Sequence, residues 1–405
     1  MVSKKDPTAW LDNAFFEKVL RQALSDKAIT VEDFFISLNN DSSTQYASTI
    51  YRATVSYWIK GKVDHIALVI KLISSKVNQL ADANSFQNEL NLYRNYISRM
   101  EDLLAQAGYS DLHLAPRLIY ASTEPQPVMI LEDVTHNHYE LYKSSMNFDD
   151  AKVVTEKLAR FHAASFCLLK DISNKIPDDL FSGLFKAKPN QGVKFMEENF
   201  GIFAEEIAKW EGFEHYAEKV GKLLPNFLQR GIEIYNPEIE SASLKVLNHG
   251  DFHYNNMLVK FDSERSAILD VLFVDFQLSF WGTPAVDLYY LLYLVCNRET
   301  RDEHRQELIY HYHQKLTETL DKMGHIGTVP TLLDLNNDLL RAGFLEVVIV
   351  VCFIPFLFAD YSAALNVFGE TNDAKAYRRQ LYCNPQYREI LEPLLPYFLH
   401  KGFLD

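Results

Sequence analysis

The chain has 405 residues, 48% of them hydrophobic, enough for a large core and two or three lobes and too apolar for extended disorder. Its formal net charge of −14 argues against a nucleic-acid surface, which needs a basic stripe. Four cysteines (Cys167, Cys296, Cys352 and Cys383) stand far apart with no CxxC pair, which favours reduced thiols in a cytoplasmic setting over a disulfide framework or a cysteine-based zinc site.

The N-terminus, "MVSKKDPTAWLDNAFF", carries no apolar core of signal-peptide length. "NAFFEKVLRQAL" reads as an amphipathic helix. "STIYRATVSYWI" alternates as a strand, "GKVD" reads as a turn, and "HIALVIKLI" as a continuous apolar strand. "SFQNELNLYRNYISRMEDLLAQAG" is a helix stopped by glycine, and "PRLIYAS" and "PVMILEDV" are two more strands. Beyond Val134 the pattern turns helical, in "DAKVVTEKLARFHAASFCLL", "VKFMEENFGIFAEEIAKWEGF" and "TPAVDLYYLLYLV". The exception is a hairpin built from "SLKVLNHG", "NMLVKF" and "AILDVLFVDF", turning near "DSER". The run "FLEVVIVVCFIPFLFAD" has an uninterrupted apolar part, Val347 to Ala359, too short to span a bilayer and interrupted by Pro355. A buried helix is expected there, with no membrane partner. The expectation is α+β: a small sheet-plus-helix lobe, a boundary near Leu131, then a larger helical lobe with one embedded hairpin.

Two charges stand out against this apolar pattern. Lys71 lies inside "LVIKLI". It is either an edge lysine facing water or a buried one that needs a partner. In the following helix Phe86, Leu90, Tyr93 and Ile97 form the apolar stripe, and Glu89 falls on it. A lysine held by a glutamate is how kinases position a phosphate-gripping amine.

"VLNHGDFHYNNMLV" crowds His249, Asp251, His253, Asn255 and Asn256 between apolar flanks. It has three readings. The first is a polar turn satisfied by its own backbone. The second is an extended metal-binding strand presenting His249, Asp251 and His253 on one face. The third is a catalytic loop in which Asp251 is the base and Asn256, five residues on, binds a metal. The third demands a second acid on a following strand, and "LFVDFQ" supplies Asp275. Hard oxygens of Asn256 and Asp275 suit Mg²⁺.

The loop "HGDFHYNN", with "VDFQLSFWGTPAVDL", "VMILEDV" and "LARFHAASF", resembles the ecdysteroid kinase-like proteins, part of the wider choline kinase and aminoglycoside phosphotransferase group. The resemblance runs from about Val31 to the C-terminus. It implies a bilobal protein-kinase-like fold with an N-lobe over residues 1–131, a hinge at 132–135 and a C-lobe over 136–405. It implies ATP and Mg²⁺ as cofactors. Lys71 would contact the α- and β-phosphates and Glu89 would orient it. Asp251 would take or orient the acceptor proton, and Asn256 and Asp275 would hold Mg²⁺. Backbone groups of Glu132 and Val134 would meet the adenine edge. Asp287, in the helix that Thr283 caps and Pro284 opens, would brace the catalytic loop, or else only complement the helix dipole. His249 would support the loop, and His162 is expected to be structural. The phosphate-covering loop departs from a glycine-rich pattern: "NNDSSTQYASTIYR" has no glycine, so Ser43, Ser48 and Thr49 would have to bring backbone N–H groups to phosphate.

The resemblance implies a small-molecule alcohol as acceptor, an ecdysteroid or another apolar alcohol or xenobiotic, with no obligate protein partner evident. "EVVIVVCFIPFLFADYSAAL" could wall an apolar pocket or be plain core. A weakly active pseudokinase, a choline-type kinase and a metallohydrolase built on His249, Asp251 and His253 are the competing functions.

Overall fold

The computed structural model describes residues 8–39, 48–73, 85–170, 183–186, 190–236, 243–359, 367 and 369–405. The chain begins with α1 (Asn13–Ala23), whose first turn is capped by Asp12 accepting from Phe15 N at 2.8 Å. Then come β1 (Thr30–Leu38), β2 (Ser48–Ile59), β3 (Lys62–Ile73), α2 (Ser85–Leu92), α3 (Ser98–Gln106), β4 (Leu118–Ser122) and β5 (Val128–Glu132). The five strands make one antiparallel sheet in the order β1-β2-β3-β5-β4.

The β2–β3 connection is tighter than the sequence suggests. Ile59 pairs with Lys62, leaving Lys60 and Gly61 as a two-residue turn with φ of +51° and +76°. Two successive left-handed residues match the twist of the flanking strands. So "KVD", expected in the turn, is strand. The helix expected after β3 is present and runs without a break from Ser85 to Gln106, α2 and α3 being its two α-helical parts either side of a π-helical turn at Tyr93–Ile97.

Register divides the sheet into two faces, because directly opposed residues point the same way. Ile50, Lys71 and Met129 form one row, and Arg52, Val69 and Leu131 the next. On the other face Val55, Leu68, Ile70 and Ile130 pack with Phe16, Val19 and Leu20 of α1 as a separate apolar cluster. Met129 and Leu131 belong to the larger core shared with the following helices.

That second part contains β6 (Tyr139–Leu141), α4 (Phe148–Lys170), α5 (Gln191–Ile207), α6 (Glu214–Leu223), α7 (Phe227–Tyr235), β7 (Val246–Asn248), β8 (Met257–Phe261), β9 (Ile268–Phe273), β10 (Phe280–Gly282), α8 (Ala285–Tyr290), α9 (Arg298–Lys322), α10 (Leu332–Arg341), α11 (Gly343–Cys352), α12 (Asn372–Tyr382) and α13 (Pro385–Lys401). The β8–β9 hairpin turns at "DSER", where Asp262 N bonds Ala267 O and Arg265 N bonds Asp262 O. The expected three-stranded hairpin needs correction, however. β7 pairs with β10, and the third strand beside β8 is β6. Gly250, at φ +80°, turns the chain away before β7 could continue toward β8. Helix α8 starts one residue later than expected: Pro284 precedes it, and the Thr283 hydroxyl accepts from Ala285 N at 3.3 Å.

All ten residues of α11 are buried, as expected of a core helix. Val347 to Cys352 are buried in the larger core, and residues 360–365 of the run "EVVIVVCFIPFLFADYSAAL" lie outside the described residues. Among the described residues no single helix is long and apolar enough to cross a membrane; α10 and residues 343–358 pass that test only as a pair, bent by 54°. All four cysteines are free.

Candidate active site

β7 is fully buried, and it delivers His249 to the end of a strand where the chain must leave the sheet. Gly250 makes the exit. A Cβ there would lie 2.2 Å from the Leu278 carbonyl oxygen, so only glycine fits both the left-handed backbone and the space. The loop is held from behind by Asp287 of α8, which is fully buried. Its carboxylate accepts from His249 N at 2.6 Å, Gly250 N at 3.0 Å and His162 Nε2 at 3.1 Å. His162 Nδ1 in turn lies 2.7 Å from the Tyr312 hydroxyl.

His249 also serves the loop. Its Nε2 donates to Val274 O at 3.0 Å, and its Nδ1 accepts from Asp251 N at 3.4 Å. Both ring nitrogens are therefore engaged. Burial holds its pKa below the ordinary imidazole value, so the ring stays neutral. The metal-triad reading fails on this geometry. The loop is not extended, and among the described residues no group of three His, Cys, Asp or Glu side chains could hold a metal ion.

Asp251 lies beyond this bend. Asn256 Nδ2 donates to its backbone oxygen at 2.9 Å and to its Oδ2 at 3.3 Å, and His253 Nε2 lies 3.6 Å from Oδ2. Desolvation pushes the Asp251 carboxyl up, but the His253 imidazole and the Asn256 amide outweigh it and hold it below its usual range. The Asn256 amide nitrogen is thus spent on the loop, which leaves its Oδ1 as the side-chain oxygen that could ligate a cation.

Hairpin geometry brings Asp275 to the same end. Met257 pairs with Phe273, and Val274 N donates to Asn256 O at 3.0 Å. Asp275 then adopts φ +69°, which redirects its side chain at the exit from β9. Its Oδ1 accepts from Lys71 Nζ at 2.9 Å. Lys71 Nζ also donates to Glu89 Oε2 at 2.7 Å. Lys71 is no edge lysine: β3 lies between β2 and β5, and the side chain is buried. Desolvation works against its ammonium, but Asp275 and Glu89 overcome it and raise its pKa, so it stays charged. Glu89 comes from the buried stripe of α2, and its Oε1 has no partner among the described residues.

Of the loop and post-β9 residues, Asp275 through Oδ2 and Asn256 through Oδ1 each have an oxygen that could serve a hard cation. A carboxylate and an amide oxygen suit Mg²⁺ bound with waters and phosphate. Ser48, at the start of β2 opposite Ile73, lies on the Lys71 face, one row beyond Ile50. Ser43 and the rest of residues 40–47 lie outside the described residues. Thr49 faces the opposite side of the sheet, opposite Leu72. Glu132 ends β5, with its backbone N and side-chain Oε1 both engaged by Arg117. Val134 opens the 3₁₀ turn Val134–Asn137 that follows.

Sequence reasoning missed Gly250 as the loop's pivot, His253 as the neighbour of the Asp251 carboxylate, and Arg52, which pairs with Asp133. The isolated glycine inside an apolar–polar junction was a usable signal. The Arg52 pair had none, because its partners are 81 residues apart.

A model of the ecdysteroid kinase-like family matches residues 42–325. That is more than half of the chain, and the chain belongs to this family. No curated protein matches it. Among solved structures it is similar to an ADP-bound aminoglycoside phosphotransferase (14% identity, 91% of this chain and 97% of that one, TM-score 0.39). It is also similar to a spectinomycin phosphotransferase in complex with ADP and spectinomycin (10% identity, 92% and 93%, TM-score 0.39). A third is a macrolide 2'-phosphotransferase from Brachybacterium faecium (12% identity, 91% and 98%, TM-score 0.38). The fold is α+β and protein-kinase-like, an N-terminal antiparallel sheet followed by a mostly helical part.

Proposed function

We propose that this ecdysteroid kinase-like chain is an ATP-dependent small-molecule kinase that transfers the γ-phosphate of ATP to an alcohol hydroxyl. The observation that carries the reading is Lys71 Nζ between Glu89 and Asp275, at 2.7 and 2.9 Å. β3, α2 and the chain leaving β9 together supply one buried ammonium with two carboxylates, a costly arrangement for a structural purpose alone.

Phosphoryl transfer asks a protein for positioning and charge neutralisation. Lys71 would contact the α- and β-phosphates, with Glu89 fixing its direction. Ser48 would lie toward the phosphates, and backbone groups of Glu132 and Val134 would meet the adenine edge. Residues 1–131 would then act as the nucleotide lobe, 132–135 as the hinge and 136–405 as the catalytic lobe. Asn256 and Asp275 would hold Mg²⁺, which when bound offsets the negative charge of the phosphates. Asp251 would sit within hydrogen-bond reach of the acceptor hydroxyl. The acceptor oxygen bonds to the γ-phosphorus, the bond to the β–γ bridging oxygen breaks, ADP leaves, and the hydroxyl proton passes to Asp251. Its depressed pKa keeps the carboxylate ionised for that task. His249 and Asp287 would hold the loop rather than touch substrate. For the acceptor, the family points to an apolar alcohol of ecdysteroid type.

Calorimetry of ATP binding with and without Mg²⁺, on the wild type and on Asp275→Asn, tests the reading. Mg²⁺-dependent binding lost in the variant is expected, followed by turnover in a screen of ecdysteroids and other apolar alcohols. A wild type that ignores ATP under all conditions would falsify it.

A further inference from the structure

Arg52 lies on the Lys71 face of the sheet, in the row it forms with Val69 and Leu131. In the order β2-β3-β5, strand β3 separates Arg52 from the chain leaving β5. Outer strands of such a trio are about 10 Å apart. Arg52 nevertheless reaches across: its Nη1 lies 3.1 Å from Oδ1 and 2.8 Å from Oδ2 of Asp133, and 3.2 Å from Thr135 Oγ1. The long side chain lies across the sheet face.

Asp133 is fixed from three directions. Its backbone N donates to Ala67 O of β3 at 3.1 Å. Its Oδ1 caps the following 3₁₀ turn, accepting from Thr135 N at 3.0 Å and Thr135 Oγ1 at 2.7 Å. Arg52 supplies the third contact, to a side chain only 8% exposed. Capping alone does not require a charge, since serine, threonine or asparagine caps as well. A buried carboxylate carries a desolvation cost those residues avoid. Beyond the bond from Asp133 to Ala67 the backbone has left the sheet, and β3 no longer sets its height. Asp133 stands between Glu132 and Val134, whose backbone groups the proposed function assigns to the adenine edge.

We propose that Arg52 and Asp133 are nucleotide-positioning residues: their ion pair ties the 132–134 backbone to β2 and holds it where it meets a purine base. The inference rests on the kinase reading and adds to it the residues that set base affinity. The ion pair acts on the base and not on the phosphates, which belong to the Lys71 end of the same face.

Calorimetry with Mg²⁺ present, comparing ATP with inorganic tripolyphosphate, separates the two ends. The wild type should bind ATP more tightly than tripolyphosphate. Arg52→Ala and Asp133→Asn should each weaken ATP binding roughly tenfold, as expected for one charge-assisted contact, and leave tripolyphosphate unchanged. Asp133→Asn keeps the cap oxygen for Thr135, so the turn itself is preserved. The double variant should bind ATP no more weakly than either single one, Arg52→Lys should recover part of the loss, and kcat at saturating ATP should hold. Unchanged ATP affinity in both single variants would overturn the proposal. So would equal weakening of ATP and tripolyphosphate, which marks a general distortion. A wild type that binds neither ligand brings down the kinase reading itself, and this inference with it.

Discussion

Gly250 and Asp251 are adjacent, yet their substitutions should fail in opposite ways. The Asp251 side chain is partly exposed and its neighbours His253 and Asn256 are polar, so Asp251→Asn preserves the loop's shape. Turnover should fall by about 10²–10⁴ with ATP affinity nearly unchanged, measured as kcat against a binding isotherm. An active Asp251→Asn enzyme would remove that residue from the role of base. Gly250→Ala should instead lose stability. The new Cβ meets the Leu278 carbonyl oxygen at 2.2 Å, and the backbone is left-handed at φ +80°. A cost of at least about 2 kcal/mol is expected in chemical denaturation. Asp251 was legible in the sequence because polar residues that interrupt apolar flanks need a purpose. Gly250 was legible only as a break in a regular strand; that no other residue fits there was not, because its neighbour Leu278 is distant in the chain and a glycine's φ cannot be read from composition.

Helix α8 is short, and its role is to present Asp287 to the loop after β7. That carboxylate satisfies two buried N–H groups and the His162 ring at once. Asp287→Ala leaves both N–H groups and the His162 Nε2 without that acceptor and should cost about 3–5 kcal/mol, read from the denaturation midpoint. Thr283→Ala, at the same helix start, removes one hydroxyl contact of 3.3 Å and should cost about 1 kcal/mol or less. Equal costs would show that Asp287 only complements the helix dipole. Elements of this part differ in how they announce themselves. The β8–β9 hairpin shows as alternation around a polar turn, and α11 shows as a long apolar run. β6, β7 and β10 have three residues each, too few for any period, and their pairing is set by tertiary contacts alone.

At the scale of the molecule, the sheet has an apolar cluster under α1 on one side and the larger core on the other. The Lys71–Glu89–Asp275 cluster stands where β3 and α2 of the first part meet the end of β9 from the second. The lysine and glutamate were legible as charges misplaced in apolar periods. Their convergence with Asp275 was legible only through family resemblance, because no local pattern links residues 204 apart. Lys71→Met tests what this junction contributes. The variant keeps two carboxylates near one another with no cation between them. Burial already raises Glu89 above its ordinary 4.5, and loss of Lys71 must raise it further. A carboxyl whose folded pKa lies above its unfolded value binds extra protons when folded, so its stability falls as pH rises through that window. The gap in unfolding free energy between wild type and Lys71→Met should therefore be larger at about pH 7 than at about pH 5, by denaturant titration. Mg²⁺ and ATP together should raise the wild-type melting temperature in a concentration-dependent way and leave that of Lys71→Met nearly unmoved. A pH-independent gap would mean that Glu89 takes its stability from contacts other than the lysine.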